Sequence, residues 1–423
     1  MREHDLRARA VSEMHLRRWP TLTVPSLVVQ WVLLVAPAER ESELRAVDAK
    51  ARQQDPALAS HREGSLGPGL HFTWEKQSEG SSVTLFCEGA GAADFLDPHS
   101  RPDLSDALKW AQSLPGDVIR SVRIWLVADD AEAEQVLPRI YLHDDELVSS
   151  RLAGPIRMWS DFRLKEDGFG RLVVAANGAD PRDLTRQVQR LQELGNYRNR
   201  ALLGLPLAQQ YWPQLDAAEA RLRELADRVS KPDERDDALL NSLSELSLEL
   251  ATISAAIDFR MDATRAYAQL VEERLHQLKG EPVDGFASLA DFTQRRFRPA
   301  IATCIATVNR LERLAVRAEQ LSSLLRVRIE TRIENQNAQQ LRSMERSASM
   351  QLRLQQLVEG LSVVALSYYL VGLLSYLLHG VPEDRLPARP EAILALAVIP
   401  LVAVIALVML AMKKRLLREH RDD

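Results

Sequence analysis

The stretch Leu361–Leu378 reads LSVVALSYYLVGLLSYLL, and Ala392–Met412 reads AILALAVIPLVAVIALVMLAM; neither contains a charged side chain. A helix rises about 1.5 Å per residue, so roughly 20 apolar residues cross the hydrocarbon core of a bilayer. Helices of a soluble core keep a polar face, and these runs keep none. They read as a transmembrane hairpin within residues 357–412, with spans at about 361–378 and 392–412 and the lipid bilayer as first partner. Between them, His379–Glu391 (HGVPEDRLPARPE) has the prolines and acids of a short loop outside the membrane.

Lys413, Lys414, Arg415, Arg418 and Arg421 follow the second run, in a basic tail at 413–423, and Arg342, Arg346 and Arg353 precede the first. The connector offers Arg385 and Arg389, diluted by Glu383, Asp384 and Glu391. Because basic residues stay on the cytoplasmic side, both ends of the chain are expected in the cytoplasm. Cys87 and Cys304, the two cysteines, lie far apart and form no disulfide framework, in keeping with a reducing compartment.

Working outward toward the N-terminus, no helix breaker interrupts the chain from Pro299 to Leu378. One helix of about 80 residues, on the order of 120 Å long, is expected there. Its middle, Arg326–Gln351, is polar on nearly every face and reads as a solvated stalk. Upstream, Leu239, Leu243, Leu246, Leu250, Ile253 and Ile257 recur in steps of four and three, the seam of a coiled coil. A second stripe follows at Ile301, Ile305, Val308, Leu311, Leu314, Ala318, Leu321 and Leu325. Residues 181–356 are therefore assigned to a helical, coiled-coil-like stalk domain.

Residues 1–180 have mixed character. Strands are expected at Leu22–Val35, His71–Lys76, Val83–Cys87, Val118–Val127, Ile156–Lys165 and Arg171–Ala176, and helices at Ala38–Arg52 and Leu104–Ser113. Glycine-containing turns at Gln77–Gly80 and Glu166–Gly170 make local hairpins, so the sheet is mixed or antiparallel and the class α+β. Leu22–Ala36 also resembles the apolar part of a signal peptide. The acids Glu3, Asp5 and Glu13 before it and the breaks at Pro25 and Gln30 favour a buried strand.

Chemistry-bearing patterns are sparse. No P-loop, GxGxxG, GxSxG, HExxH or zinc-ligand spacing occurs, so no catalytic residue, cofactor or metal is assigned and the chain is not expected to be an enzyme. His143-Asp144-Asp145-Glu146 reads as a solvated turn, because consecutive residues seldom converge on one ion. Glu13 and His15 make no site by themselves. Asp161 and Arg163 share a strand face and read as an internal ion pair or a packed edge. The slightly acidic balance gives no reason to expect nucleic acid. In the first apolar run Ala365, Tyr368, Gly372, Ser375 and His379 form a stripe of small and polar residues that should face protein or water, as a packing face or a pore lining. Glu359 stands at its inner boundary as a candidate ring charge.

Several segments resemble the bacterial membrane-anchored family called domain of unknown function 3422: MWSDFRLKEDGFGR (Met158–Arg171), YRNRALLGLPLAQ (Tyr197–Gln209), RAYAQLVEERL (Arg265–Leu275) and LRLQQLVEGLSVVALSYYLVGLLSY (Leu352–Tyr376). The likeness runs from about Asp5 to Arg415 and implies a multi-pass protein of the bacterial inner membrane, with no activity to carry over. The layout is similar to that of CorA-type magnesium transporters, which implies a homo-oligomer passing cations or small solutes. Their Gly-Met-Asn signature is replaced here by Tyr376-Leu377-Leu378-His379-Gly380. The other functional expectation is a membrane-tethered scaffold or signalling adaptor that binds a cytoplasmic protein partner.

Overall fold

The computed structural model describes residues 19–52, 60–89, 101–140, 142, 147–231, 235–380 and 389–419, together with His4, Arg7 and Val11. The Glu13/His15 pair, the 143–146 turn and most of the connector between the apolar runs lie outside them. The chain divides into two units, Met1–Ser322 and Ser323–Asp423.

Among the described residues nine strands form one sheet in the order β2-β3-β4-β1-β5-β8-β7-β6-β9. They are β1 (Ser26–Leu34), β2 (His61–Gly67), β3 (Leu70–Lys76), β4 (Gly80–Glu88), β5 (Asp117–Val127), β6 (Val148–Arg151), β7 (Arg157–Ser160), β8 (Gly170–Ala175) and β9 (Glu281–Pro282). Neighbours run antiparallel except for β5 and β8, which are parallel from Val122↔Gly170 to Val127↔Ala175. The mixed sheet and the α+β class agree with the hairpin pattern of the sequence. The apolar run at Leu22–Val35 is a strand, paired on one side with β4 and on the other with β5.

Apart from Ser26 and Gln30, β1 is apolar because both of its faces are covered. Leu27, Val29, Trp31 and Leu33 join a core with Leu104 and Leu108 of α2 (Pro102–Gln112) and Val136 of α3 (Asp130–Arg139). Val28 faces the opposite core, with Ile124, Leu126 and Val174 and with Leu184, Val188 and Leu191 of α4 (Pro181–Leu202). Each fully buried side chain of this kind contributes about 1.5–3 kcal/mol of transfer free energy. The first face also carries α1 (Arg40–Asp48), whose buried Glu43 accepts hydrogen bonds from Trp74 Nε1 at 2.8 Å and from Ser81 Oγ.

The helical part follows from its caps and seams. Asp180 caps α4 by accepting from the Arg182 N–H at 2.8 Å, with Pro181 at the first helical position. Next come α5 (Gly204–Val229) and α6 (Asp236–Leu278), whose seam residues Leu239, Leu243, Leu246, Leu250, Ile253 and Ile257 are all buried, as the heptad spacing requires. Arg260 of α6 pairs at 2.9 Å with Glu79 in the β3–β4 turn, tying the helices to the sheet. A capping box at Ser288 starts the short α7 (Leu289–Phe292), and a π-helical turn, Thr293–Phe297, leads into α8 (Arg298–His379). Early in α8 the buried positions are Ile301, Cys304, Thr307, Leu311, Leu314 and Ala318, while Ile305 is 38% exposed. The seam is thus a residue out of phase with the apolar stripe read at Ile305 and Val308, and Trp212 of α5 donates to Thr307 there.

In the second unit, α8 runs unbroken to His379, and α9 spans Pro390–Glu419. Every residue from 331 to 358 is exposed, as its polar composition demands. Both helices contain a stretch long and apolar enough to cross a membrane.

Candidate functional site

Two features stand out: the surface of the apolar helices and a cationic pocket in the first unit. On α8, Ala365 is exposed, Tyr368 is 76% exposed, and Gly372 and Ser375 are half-buried; a Cβ added at Gly372 would meet nothing within 4 Å. The side chain of His379 lies outside the described residues. Glu359 is half-buried and engaged by a neighbour. The most buried residue of this apolar stretch is Ser367, at 6% exposure, whose Oγ has no hydrogen-bond partner. Large apolar side chains such as Leu361, Tyr369, Leu373, Leu396, Ile399 and Leu407 stand open over more than half their surface. In water, a contiguous apolar surface of this size is not sustainable without a covering phase.

The pocket lies between the first half of β5, the loop from β7 to β8, and the last turns of α4, with a volume of about 250 Å³. Arg120, Arg163, Arg171 and Arg198 all line it, with no carboxylate among the lining residues. Arg171 is held from outside the pocket by Asp167 at 3.1 Å and by the Ile140 carbonyl at 2.6 Å. Arg120 reaches across the sheet: its Nη1 donates to Gln30 Oε1 at 3.1 Å and to Asn196 Oδ1 at 2.9 Å, both neutral acceptors. Gln30 in turn donates to Thr84 at 2.9 Å, so one polar chain links β4, β1, β5 and α4. Gly195 makes this crossing feasible, since a Cβ there would come within 2.8 Å of the Arg120 guanidinium. Burial and the neighbouring Arg198 charge push Arg120 down to about 9, and burial pushes Arg198 down to about 10.

Phe162 forms part of the wall with φ of 52°, a left-handed conformation that is an outlier for a bulky residue. Its ring stacks on Phe292 at 4.4 Å, and the Arg198 guanidinium lies over it at 4.5 Å. This departure ends β7 at Ser160, short of the strand expected to Lys165. The Asp161 carboxylate accepts from the Arg163 backbone N–H through Oδ1 and from Lys165 Nζ at 2.5 Å through Oδ2.

Sequence reasoning passed over Arg120, Gln192, Gly195 and Arg198. The available signal was an arginine inside a strand buried on both faces, opposite a glycine within an amphipathic helix. The two cysteines are poor nucleophile candidates, because burial pushes the Cys87 thiol up to about 11 and raises Cys304 as well. No group of three or more His, Cys, Asp or Glu side chains suited to a metal occurs among the described residues.

The family model described as protein of unknown function (DUF3422) matches residues 2–416 of the 423, and the chain belongs to that family. No curated protein and no solved structure matches it. The layout likeness to CorA-type transporters therefore gains no support from relatives.

Proposed function

We propose that this chain is a membrane-anchored protein whose two C-terminal helices cross the bilayer as a hairpin, with the α+β unit and both chain ends in the cytoplasm, at a bacterial inner membrane. The observation that carries the reading is the pair of charge-free helical stretches, 361–378 and 392–412, with open apolar side chains. Lipid covers such a surface without requiring a complementary protein face. The basic residues before and after the hairpin set its orientation.

Copies of the chain assemble through α8 in this proposal, because Ser367, Gly372 and Ser375 place small and hydroxyl-bearing groups in an apolar stretch. Such groups favour helix–helix approach over lipid contact. Within an assembly, the face with Ala365, Tyr368, Gly372, Ser375 and His379 would line a path for a cation or small solute. A second reading, a membrane-tethered scaffold for a cytoplasmic protein, is favoured by the 331–358 segment, a helical surface open on all sides whose exposed side chains include Leu341, Met344, Leu352 and Leu357 among polar ones. Alkaline carbonate washing and mass measurement in mild detergent test the first reading. The chain should stay with the membrane and run as a multiple of its protomer mass; release by carbonate, or a monomer, contradicts anchoring or assembly respectively. Flux into liposomes carrying the assembled protein then decides between conduction and scaffolding.

A further inference from the structure

Several partly buried arginines are neutralised by carboxylates, whereas Arg200, 1% exposed with Nε and Nη2 unpartnered, Arg120 and Arg198 have no ion pair among the described residues. Arg123 pairs with Asp167 at 2.8 Å, Arg157 with Asp130 at 2.9 Å, and Arg274 with Glu193 at 2.6 Å. Arg198, which lines the pocket between β5, β8 and α4, makes no hydrogen bond or ion pair among the described residues. The Phe162 ring beneath it fixes its plane and supplies no net charge. Arg120 spends only Nη1 on protein acceptors, both neutral, and leaves Nε and Nη2 without any. Both guanidinium groups are half-buried, so water screens them only in part, and a bound anion would offset the remaining cost of two neighbouring cations without a counter-charge.

Independent features mark the same place. Gln192 is 1% exposed, lies between this pocket and a smaller one lined by Gln30, Glu193 and Asn196, and has neither Oε1 nor Nε2 hydrogen-bonded. An amide buried with both ends unpaired calls for an outside partner. Phe162 holds a strained backbone conformation at the wall, of a kind concentrated at ligand sites. The two segments that first carried the family resemblance, Met158–Arg171 and Tyr197–Gln209, also meet here, contributing Ser160, Phe162, Arg163, Arg198 and Asn199 to one lining.

We propose that this pocket binds a small phosphate monoester, its phosphate held between Arg120 and Arg198 with Gln192 as a neutral donor. A phosphate monoester carries a charge of about −1.5 to −2 near neutrality and three acceptor oxygens, which matches two cations with unspent donors. A guanidinium presents its N–H groups in a planar fork suited to phosphate oxygens. The volume of about 250 Å³ holds on the order of eight waters at about 30 Å³ each, enough for a phosphate on a body of a few carbons. Phe162 and Leu194 offer that body an apolar wall. The site stands independently of the membrane reading.

Isothermal titration of the full chain in phosphatidylcholine nanodiscs, with glycerol 3-phosphate as probe and succinate and chloride as controls, tests the assignment. One saturable site per chain is expected, with succinate at least tenfold weaker and chloride without competition at matched ionic strength. Arg198→Met should weaken the probe at least tenfold. Gly195→Ala, whose added methyl comes within 2.8 Å of the Arg120 guanidinium and displaces it, should weaken it several-fold while leaving the circular dichroism spectrum unchanged. Absence of saturable heat, succinate binding as tight as the probe, or equal affinity in folded Arg198→Met and Gly195→Ala proteins would overturn the proposal. Nanodiscs carrying phosphatidate separate the sources of the phosphate. Loss of probe binding in them identifies a lipid headgroup, and unchanged binding identifies a soluble ester; both retain the site.

Discussion

Arg198 shows how a charge can lower the stability of the fold that holds it. Burial pushes its guanidinium down to about 10, below the ordinary arginine range, so the folded chain holds this proton less tightly than the unfolded chain does. At neutral pH the group is charged in both states and the penalty is fully present; it fades as pH rises from about 10 toward the unfolded value. The contact with the Phe162 and Phe292 rings returns about 1–2 kcal/mol for a half-buried cation, set against the cost of partly desolvating an unpaired ion. Arg198→Met should therefore raise the unfolding temperature of the ligand-free protein by a few degrees, read by tryptophan fluorescence in nanodiscs; a lower temperature would mean that Arg198 is already neutralised. None of this was legible at the residue level in the sequence. The strand expected at Val118–Val127 does not by itself say which face Arg120 takes, and only the packing of α4 over that face, at Gly195, encloses it.

At the scale of elements, legibility followed periodicity. The α6 seam was readable because buried leucines at steps of three and four admit one interpretation, and all six named positions are buried. The same rule failed early in α8, where Cys304 and Thr307 take the buried positions and Ile305 does not, because the π-helical turn at Thr293–Phe297 precedes and the polar Trp212–Thr307 contact sets the phase. β2 (HREGSLG) was missed because its own sequence carries no alternation; its place comes from pairing with β3, His61 opposite Glu75. β7 ended early because Phe162 turns the backbone out of the sheet. A direct consequence concerns Leu246, which is fully buried in the seam. Leu246→Ala leaves a cavity and should cost about 2–5 kcal/mol, measured as a lowered urea midpoint with an unchanged slope; a change below about 0.5 kcal/mol would place this part of α6 outside the cooperative core.

For the molecule as a whole, composition alone carried the strongest inference. Two stretches without a charge are long and apolar enough to cross a membrane, a property that lies in composition and length alone. What composition could not supply was the chemistry of the first unit, because a pocket assembled from β5, a loop and α4 leaves no contiguous motif. The account of the whole rests on the hairpin crossing the bilayer, with the connector outside and the α+β unit inside. The most direct test places a single reactive thiol in the connector, Leu386→Cys, in an otherwise cysteine-free chain (Cys87→Ser, Cys304→Ala) that still fractionates with membranes. Intact cells are then treated with a membrane-impermeant maleimide. The account predicts labelling at position 386 without permeabilisation, and protection of a matched Ser349→Cys until the membrane is opened; labelling of Leu386→Cys only after permeabilisation would contradict it.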